Sequence, residues 1–279
     1  MLPSPPPTEQ IAADVARALS EDIGSGDASA ELLPDAPARA RIVCREAAVV
    51  AGLPWVEACF RALDPDARFE WALRDGEHIS PDQELGRIHA RSRALVSGER
   101  CALNFLQTLS GTATVTATYA AALVGSGTRI LDTRKTVPGL RLAQKYAVRC
   151  GGGANHRIGL YDAVMLKENH LIAAGSIAIA VRHARSRFPD LPLICEVESL
   201  TELAEAIEAG VDRVLIDDFS FEDMHRAVAL AAGRVPLEAS GSVTLDTLPM
   251  IAATGVDFVS SGALTKHIRA IDYSMRLIE

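Results

Sequence analysis

The sequence predicts an α/β protein: a parallel, barrel-like sheet in the C-terminal part, preceded by a smaller α+β domain. Three observations carry this. From about Arg129 onward, short β-branched runs alternate six times with amphipathic helical stretches. Almost every one of those strands ends in a polar or charged residue. The first hundred residues lack the alternation altogether. Consecutive βα units imply a parallel sheet. Polar strand ends that converge favour a ring with its chemistry at the C-terminal mouth; a dinucleotide-binding sheet would show G-x-G-x-x-G after its first strand, and none stands there. Six units are fewer than the eight of a full barrel, so the ring is expected to be incomplete.

Element by element, a helix is predicted from Thr8 to about Ser20, followed by a hinge of small residues and three strand-like pieces, ARARIVCREAAVVAG, ARFEWAL and ELGRIHARSRALV. The stretch GERCALNFLQTLSGTATVTATYAAALV is helical, with Ser110-Gly111 read as a break between two helices and as the domain boundary. The six units then follow: RILDT with PGLRLAQKYAVRC, DAVMLK with SIAIAVRHARSRF, LICEVE with TELAEAIEAG, RVLID with FEDMHRAVALAA, PLEAS with LDTLPMIAAT, and DFVSS with LTKHIRA. Helix punctuation fits this register. Pro138 suits a first helical turn, Gly151 a C-terminal stop, and Ser199 to Glu202 an S-x-x-E capping box.

Composition narrows the function classes. With 279 residues, 48% hydrophobic and 23% charged, the chain is of ordinary globular composition. The Pro-rich start has neither the basic nor the apolar region of a secretion signal, and no apolar run reaches membrane-spanning length, so a cytoplasmic protein without membrane contact is expected. Five scattered cysteines, with no C-x-x-C, argue against a disulfide framework or structural zinc and are read as reduced, buried thiols. The formal charge is -8, yet residues 132–170 hold seven Lys and Arg against three acids. Cations gathered inside an acidic chain point to a small polyanionic ligand; nucleic acid would call for a basic face overall.

The chemistry is expected where those cations meet strand ends. Arg134 and Lys135 follow RILD, where arginine can grip a carboxylate or phosphate with two parallel bonds and lysine acts as a mobile point charge. Arg141, Lys145 and Arg149 recur every fourth residue and read as a solvated helix stripe. In GGGANHRIG, successive glycines let backbone N–H groups approach a ligand beside His156 and Arg157. Lys167 ends DAVMLK, as a phosphate contact or as a Schiff-base nucleophile; Glu168, Asn169 and His170 after it read equally as a helix cap. Glu196 and Asp217 end neighbouring strands and suit a magnesium ion bridging to phosphate, with Glu198 and Asp218 as competitors. Ser240-Gly241-Ser242 and Ser261-Gly262-Ala263 each follow a late strand and precede a helix, an arrangement that receives phosphates.

The segment DTRKTVPGLRLAQKYAVRCGGGANHRIGLYDAVMLKENH resembles the signature of the quinolinate phosphoribosyltransferase family. GERCALNFLQTLSGTAT, CEVESLTELAEAIEAG, LIDDF, LEASGSV and SSGALTKH continue the resemblance in family order, from roughly Gly52 to the C-terminus. It implies an N-terminal α/β sandwich (1–111, to which 268–279 returns) packed with an incomplete, type II phosphoribosyltransferase-like α/β barrel (112–267). It also implies transfer of phosphoribose from 5-phosphoribosyl 1-diphosphate to quinolinate with decarboxylation, giving nicotinate mononucleotide, pyrophosphate and CO2 for NAD biosynthesis, with Mg2+.

Carried over by position, Arg134, His156, Arg157 and Lys167 would hold the two quinolinate carboxylates, with Thr133 in the same substrate-binding set. Lys135 and Lys167 would meet the phosphoribosyl diphosphate, and Glu196 and Asp217 its ribose hydroxyls and metal. The two Ser-Gly turns would take its 5-phosphate. Lys135, Lys167, Glu196 and Asp217 form the catalytic group of this reading. Arg100 would enter the active site of the partner in a homodimer, with assembly beyond the dimer left open. Two positions depart from the family pattern, which would have Gly or Asn at Ser242 and Asn at Asp218. The competing readings are a phosphoribosyltransferase for another aromatic acid, a Schiff-base lyase using Lys167, and a non-catalytic phosphate or carboxylate sensor.

Overall fold

The computed structural model describes residues 3–278. The chain forms two compact units: the first takes residues up to Ala117, Thr136–Gly152 and Leu264 onward, the second Thr118–Lys135 and Gly153–Ala263.

The first unit begins with α1 (Thr8–Ile23), β1 (Pro37–Cys44), β2 (Ala48–Val49), α2 (Leu53–Leu63), β3 (Arg68–Trp71), β4 (His78–Ile79) and β5 (Glu84–Arg91). α3 (Ser92–Ala121) follows directly. In β1, Ala40, Ile42 and Cys44 are buried while Arg39 and Arg41 are exposed, the alternation of a sheet with one face in a core and one in water. The buried face packs with Trp55, Phe60, Ile88, Leu95 and Leu106.

α2 was not expected, because the sequence read as strand up to Gly52. Its N-cap, Gly52, has no side chain; the Asp75 carboxylate supplies the cap, accepting from the N–H groups of Gly52 at 3.0 Å and Leu53 at 3.2 Å. A cap delivered from 22 residues away leaves no local signature. The same carboxylate accepts from the Tyr146 hydroxyl at 2.7 Å, and burial pushes its pKa up.

The break expected at Ser110-Gly111 is absent: α3 runs unbroken for 30 residues. The small residues there serve close approach. A Cβ on Gly111 would stand 2.3 Å from the Arg269 carbonyl oxygen, and the buried Ser110 hydroxyl accepts from Ala51 N–H at 3.0 Å.

β6 (Arg129–Leu131) opens the second unit, and the chain then returns to the first for α4 (Arg141–Cys150). Pro138 lies ahead of this helix, outside its first turn, while Gly151 caps it as expected. The solvated stripe fails at its centre, because Lys145 is 2% exposed. α4 contributes Ala143, Tyr146 and Ala147 to the first unit's core and is buried almost all round.

The second unit continues with β7 (Val164–Leu166), α5 (Glu168–Ala174), α6 (Ile177–Arg187), β8 (Leu193–Val197), α7 (Leu200–Ala209), β9 (Arg213–Asp217), α8 (Phe221–Ala231), β10 (Leu237–Ser240), α9 (Leu248–Ala253) and β11 (Phe258–Ser260). One-turn α10 (Ala263–Lys266) leads back to the first unit, where β12 (Tyr273–Ile278) pairs antiparallel with β1 and completes the order β12-β1-β5-β3. The six parallel strands lie in the order β6-β11-β10-β9-β8-β7. This is a circular order left open between β6 and β7, the incomplete ring that six units predict. Beside β6, Ala154 forms a single parallel bridge with Leu131, so the glycine-rich loop stands as a short partial stave. Ser176, Ser199 and Ser220 cap the helices that follow; Ser199 accepts from Glu202 N–H, and the Glu202 carboxylate reaches one residue further back than expected, to Glu198 N–H. All five cysteines are free and buried, and burial pushes the thiols of Cys150 and Cys195 up to about 12. No helix among the described residues is long and apolar enough to cross a membrane.

Intrinsic helix propensity alone would make Gly111→Ala stabilising. The collision with the Arg269 carbonyl reverses the sign, so Gly111→Ala should destabilise the protein by about 1–3 kcal/mol, as overpacked sites do. Denaturant unfolding of the two proteins measures this.

Candidate active site

All six strands of the second unit run in one direction, so the residues at their C-terminal ends share one rim. A cleft of about 340 Å3 lies there. Thr133, Arg134 and Lys135 after β6, His156 and Arg157 from the partial stave, and Lys167 after β7 line it. Glu196, Glu238, Ser240 and Ser260 complete its polar wall, and Met165 and Leu215 its apolar floor. A separate hollow of about 780 Å3 on the first unit's sheet has Arg39 and His89 in its wall and none of the ring's strand-end residues.

Each cation is held by local structure. The buried Asp132 accepts from Asn155 Nδ2 at 2.6 Å and from His156 N–H at 2.8 Å, pinning the glycine-rich loop to the end of β6. Asp162 holds the next turn through the N–H groups of Ile158 at 2.7 Å and Gly159 at 2.9 Å. The Arg157 guanidinium donates to the Ala163 carbonyl at 3.2 Å; burial, then the neighbouring Arg134 charge, lower its pKa. Lys135 lies over Gly262, where a Cβ would stand 2.8 Å from its Cδ. Lys167 Nζ meets Glu196 Oε2 at 2.6 Å. His170 Nδ1 accepts from Lys167 N–H at 3.1 Å, which makes it part of the α5 cap.

The acidic pairs are now distinguishable. Glu196 is 9% exposed and lines the cleft, whereas Glu198 is exposed beyond the strand. Glu196 pairs in register with Leu215, so Asp217, two residues on, shares that face at the rim without forming a cleft wall. Asp218 is left-handed, at φ 51°, and turns its carboxylate under Gly241, where a Cβ would stand 2.0 Å from Oδ1. Ser242 is also left-handed, at φ 46°. Both departures from the family pattern therefore fall where Asn or Gly is the favoured residue.

The phosphate turns fare differently: Ser261-Gly262 leads from β11 straight into α10 as expected, and the turn at Ser240 leads into no helix. Ser240 lines the cleft, but Gly241 and Ser242 do not, and no helix starts there: α9 begins at Leu248, after a turn closed by Thr244 and Thr247. Positive φ at Gly241 and Ser242 rules out a helical start. Ser261, Gly262 and Ala263 lie just outside the wall, with Ser261 N–H donating to the Leu131 carbonyl at 3.0 Å and Ser261 Oγ accepting from Ala263 N–H at 3.3 Å. Arg100 is exposed on α3 in the first unit and makes no hydrogen bond or ion pair among the described residues.

Glu238 and Asp132 were not assigned a role from sequence, although each is the only acid in its strand run. Glu238 is fully buried. Its Oε2 lies 3.0 Å from Arg213 and 3.3 Å from His156 Nε2. Burial works against its ionisation, yet His156, Ser260 and Arg213 outweigh it and hold the carboxyl below the usual Glu range.

Two family models account for nearly the whole chain: the N-terminal domain of quinolinate phosphoribosyl transferase over residues 27–110 and its C-terminal domain over residues 112–276. The chain belongs to the quinolinate phosphoribosyl transferase family. Among relatives, a probable nicotinate-nucleotide pyrophosphorylase [carboxylating] of Synechocystis is 44% identical over 93% of this chain and 90% of its own. One of Bacillus subtilis is 38% identical over 91% and 89%. The solved nicotinate-nucleotide pyrophosphorylase of Francisella tularensis superposes with a TM-score of 0.95 at 43% identity, covering 98% of this chain and 97% of that one. Human nicotinic acid phosphoribosyltransferase, at 12% identity and a TM-score of 0.62, shares the fold alone.

Because Asp132 accepts from two donors in a dry site, Asp132→Asn turns an amide N–H toward one of them. Unfolding free energy should fall by about 1–3 kcal/mol, the cost of a buried unsatisfied donor, and the thermal midpoint should fall with it.

Proposed function

We propose that the cleft of the second unit performs phosphoribosyl transfer from 5-phosphoribosyl 1-diphosphate to quinolinate, with loss of CO2, and that its cations divide the two substrates. The reaction is that of the family to which the chain belongs. The observation that supports the division of labour is the convergence of Arg134, Lys135, Arg157 and Lys167 on one cleft. Such a density of cations exceeds what one carboxylate needs and suits a dicarboxylate beside a diphosphate.

In this reading Arg134 and Arg157 grip the quinolinate carboxylates, since guanidinium groups bind carboxylates bidentately. Lys135 and Lys167 meet the diphosphate and stabilise the charge that grows on it as the glycosidic bond breaks. The ring nitrogen attacks C1 of the ribose and pyrophosphate departs. The resulting pyridinium draws the electron pair of the C2–carboxylate bond into the ring; CO2 leaves and C2 takes up a proton. No covalent lysine is required, and Lys167, 2.6 Å from Glu196, is engaged as an ion-pair partner.

No group of three or more metal-ligating side chains occurs among the described residues. That donor set fits magnesium held largely by substrate oxygens and water, with Glu196 and Asp217 as the carboxylates beside it. Magnesium would supply charge neutralisation on the diphosphate. Glu196 in the cleft wall and Asp217 at the rim would also meet the ribose hydroxyls, and Ser240 is the phosphate-turn residue that reaches the cleft.

The catalytic unit is proposed to be a homodimer in which Arg100 completes the partner's site. Leu160, Tyr161 and Ile172 are 72%, 71% and 77% exposed, apolar side chains of the kind that a second copy would cover.

Purified protein supplied with quinolinate, phosphoribosyl diphosphate and Mg2+ should release CO2 and pyrophosphate in equal amounts, and nicotinate should not substitute; pyrophosphate released from nicotinate alone would overturn the acceptor. Arg157→Ala should weaken quinolinate by about 2–5 kcal/mol, as loss of a buried charged partner does, and steady-state kinetics would show it in KM and kcat/KM. Mixing Arg100→Ala with Lys167→Ala subunits should restore part of the activity each lacks alone. Demonstrably mixed dimers that stay inactive would exclude a shared site.

A further inference from the structure

We infer that Glu238 is a positioning residue that fixes His156 as its neutral, Nε2-protonated tautomer, leaving His156 to set the Arg157 backbone instead of gripping substrate. Two contacts define the ring's proton. His156 Nδ1 accepts from the Arg157 N–H at 2.6 Å, and a ring nitrogen that accepts cannot carry a proton. Nε2 lies 3.3 Å from Glu238 Oε2 without hydrogen-bond geometry to it. That distance is long for a hydrogen bond, so the assignment rests on Nδ1, and Glu238 supplies the negative charge that orients the Nε2 proton.

The groups around Glu238 support this arrangement. Arg213, at the start of β9, lies 3.0 Å from the same oxygen and stacks over the Phe258 ring, 4.7 Å from its centroid. Ser260 faces the carboxyl from β11. Glu238 sits between β9 and β11 in register with Leu215 and Phe258. Arg213 thus shares the Glu238 carboxylate with His156. His156 is 8% exposed, and an unbalanced second positive charge there would be costly.

The consequence reaches the cleft, because both His156 and Glu238 line it. A substrate carboxylate brought to His156 Nε2 would meet the Glu238 carboxylate, like charge against like. Glu238 thus keeps substrate carboxylates away from His156 and directs them to Arg134 and Arg157. His156 transmits the constraint: its ring holds the Arg157 amide, while Asp132 holds its own amide at 2.8 Å. This kinetic consequence rests on the quinolinate reading; the tautomer does not.

The test is a long-range 1H–15N spectrum of the uniformly labelled, full-length, ligand-free protein near neutral pH. His156 is picked out from the seven histidines by its absence in His156→Gln. A protonated Nε2 with an unprotonated Nδ1 supports the proposal; an imidazolium or the opposite tautomer overturns it. Glu238→Gln removes the charge at constant size. It should disturb that pattern and raise KM for quinolinate about 10- to 100-fold, the scale of a misplaced binding group, while KM for phosphoribosyl diphosphate changes little. A folded Glu238→Gln protein with both the spectrum and the quinolinate KM unchanged overturns the proposal. If that variant does not fold, the wild-type spectrum still decides. Wild-type protein that turns over no quinolinate would remove the reaction assignment, and the spectrum would judge the tautomer separately.

Discussion

Like charges crowded into a small space repel, and four cations share one cleft of about 340 Å3 in this protein. Their mutual repulsion is visible at Arg157, where burial and the nearby Arg134 both lower the guanidinium pKa. Much of the second unit answers that constraint. Glu196 pairs with Lys167, and the buried Asp132 anchors the loop that carries His156 and Arg157. The cleft is poised for anions because its cations are fixed before any ligand arrives, which is how preorganised electrostatics contributes to catalysis.

The geometry of an unfinished ring makes this possible. Between β6 and β7 no strand closes the sheet, and the glycine-rich loop fills part of the opening with one bridge to Leu131. A regular strand there would have committed its backbone to neighbours on both sides. A loop tied by the side chains of Asp132 and Asp162 can instead turn His156 inward and bring Arg157 over the cleft. The unusual backbone of the opposite rim has a similar origin: Asp218 and Ser242 accept left-handed conformations around a Gly241 that leaves no room for a side chain.

Much of this was legible in the chain itself. Alternating β-branched and amphipathic runs gave six parallel strands, and the polar residue after each strand gave the rim. Of the residues expected at the site, Thr133, Arg134, Lys135, His156, Arg157, Lys167, Glu196 and Ser240 do line the cleft. These positions follow from a simple rule, that residues just past the strands of a parallel ring converge. The expectations that failed depended on distance in space. Ser110-Gly111 looked like a helix break and is a site of close packing against Arg269; Lys145 looked solvated and is buried; the turn at Ser240 looked like a helix start and is not.

By itself, then, the sequence determined the fold class, the alternation of six strands with helices and the family, because hydrophobic periodicity and a long motif are local properties of the chain. Tertiary structure decided which of Glu196 and Glu198 lines the cleft, which helix is wrapped in core, and which proton His156 carries. Those outcomes depend on partners far along the chain: Asp75 capping α2, Arg269 beneath Gly111, and Glu238 beside His156. A buried polar atom takes its state from whatever the fold places within about 3 Å of it, and no spacing rule in one dimension contains that distance.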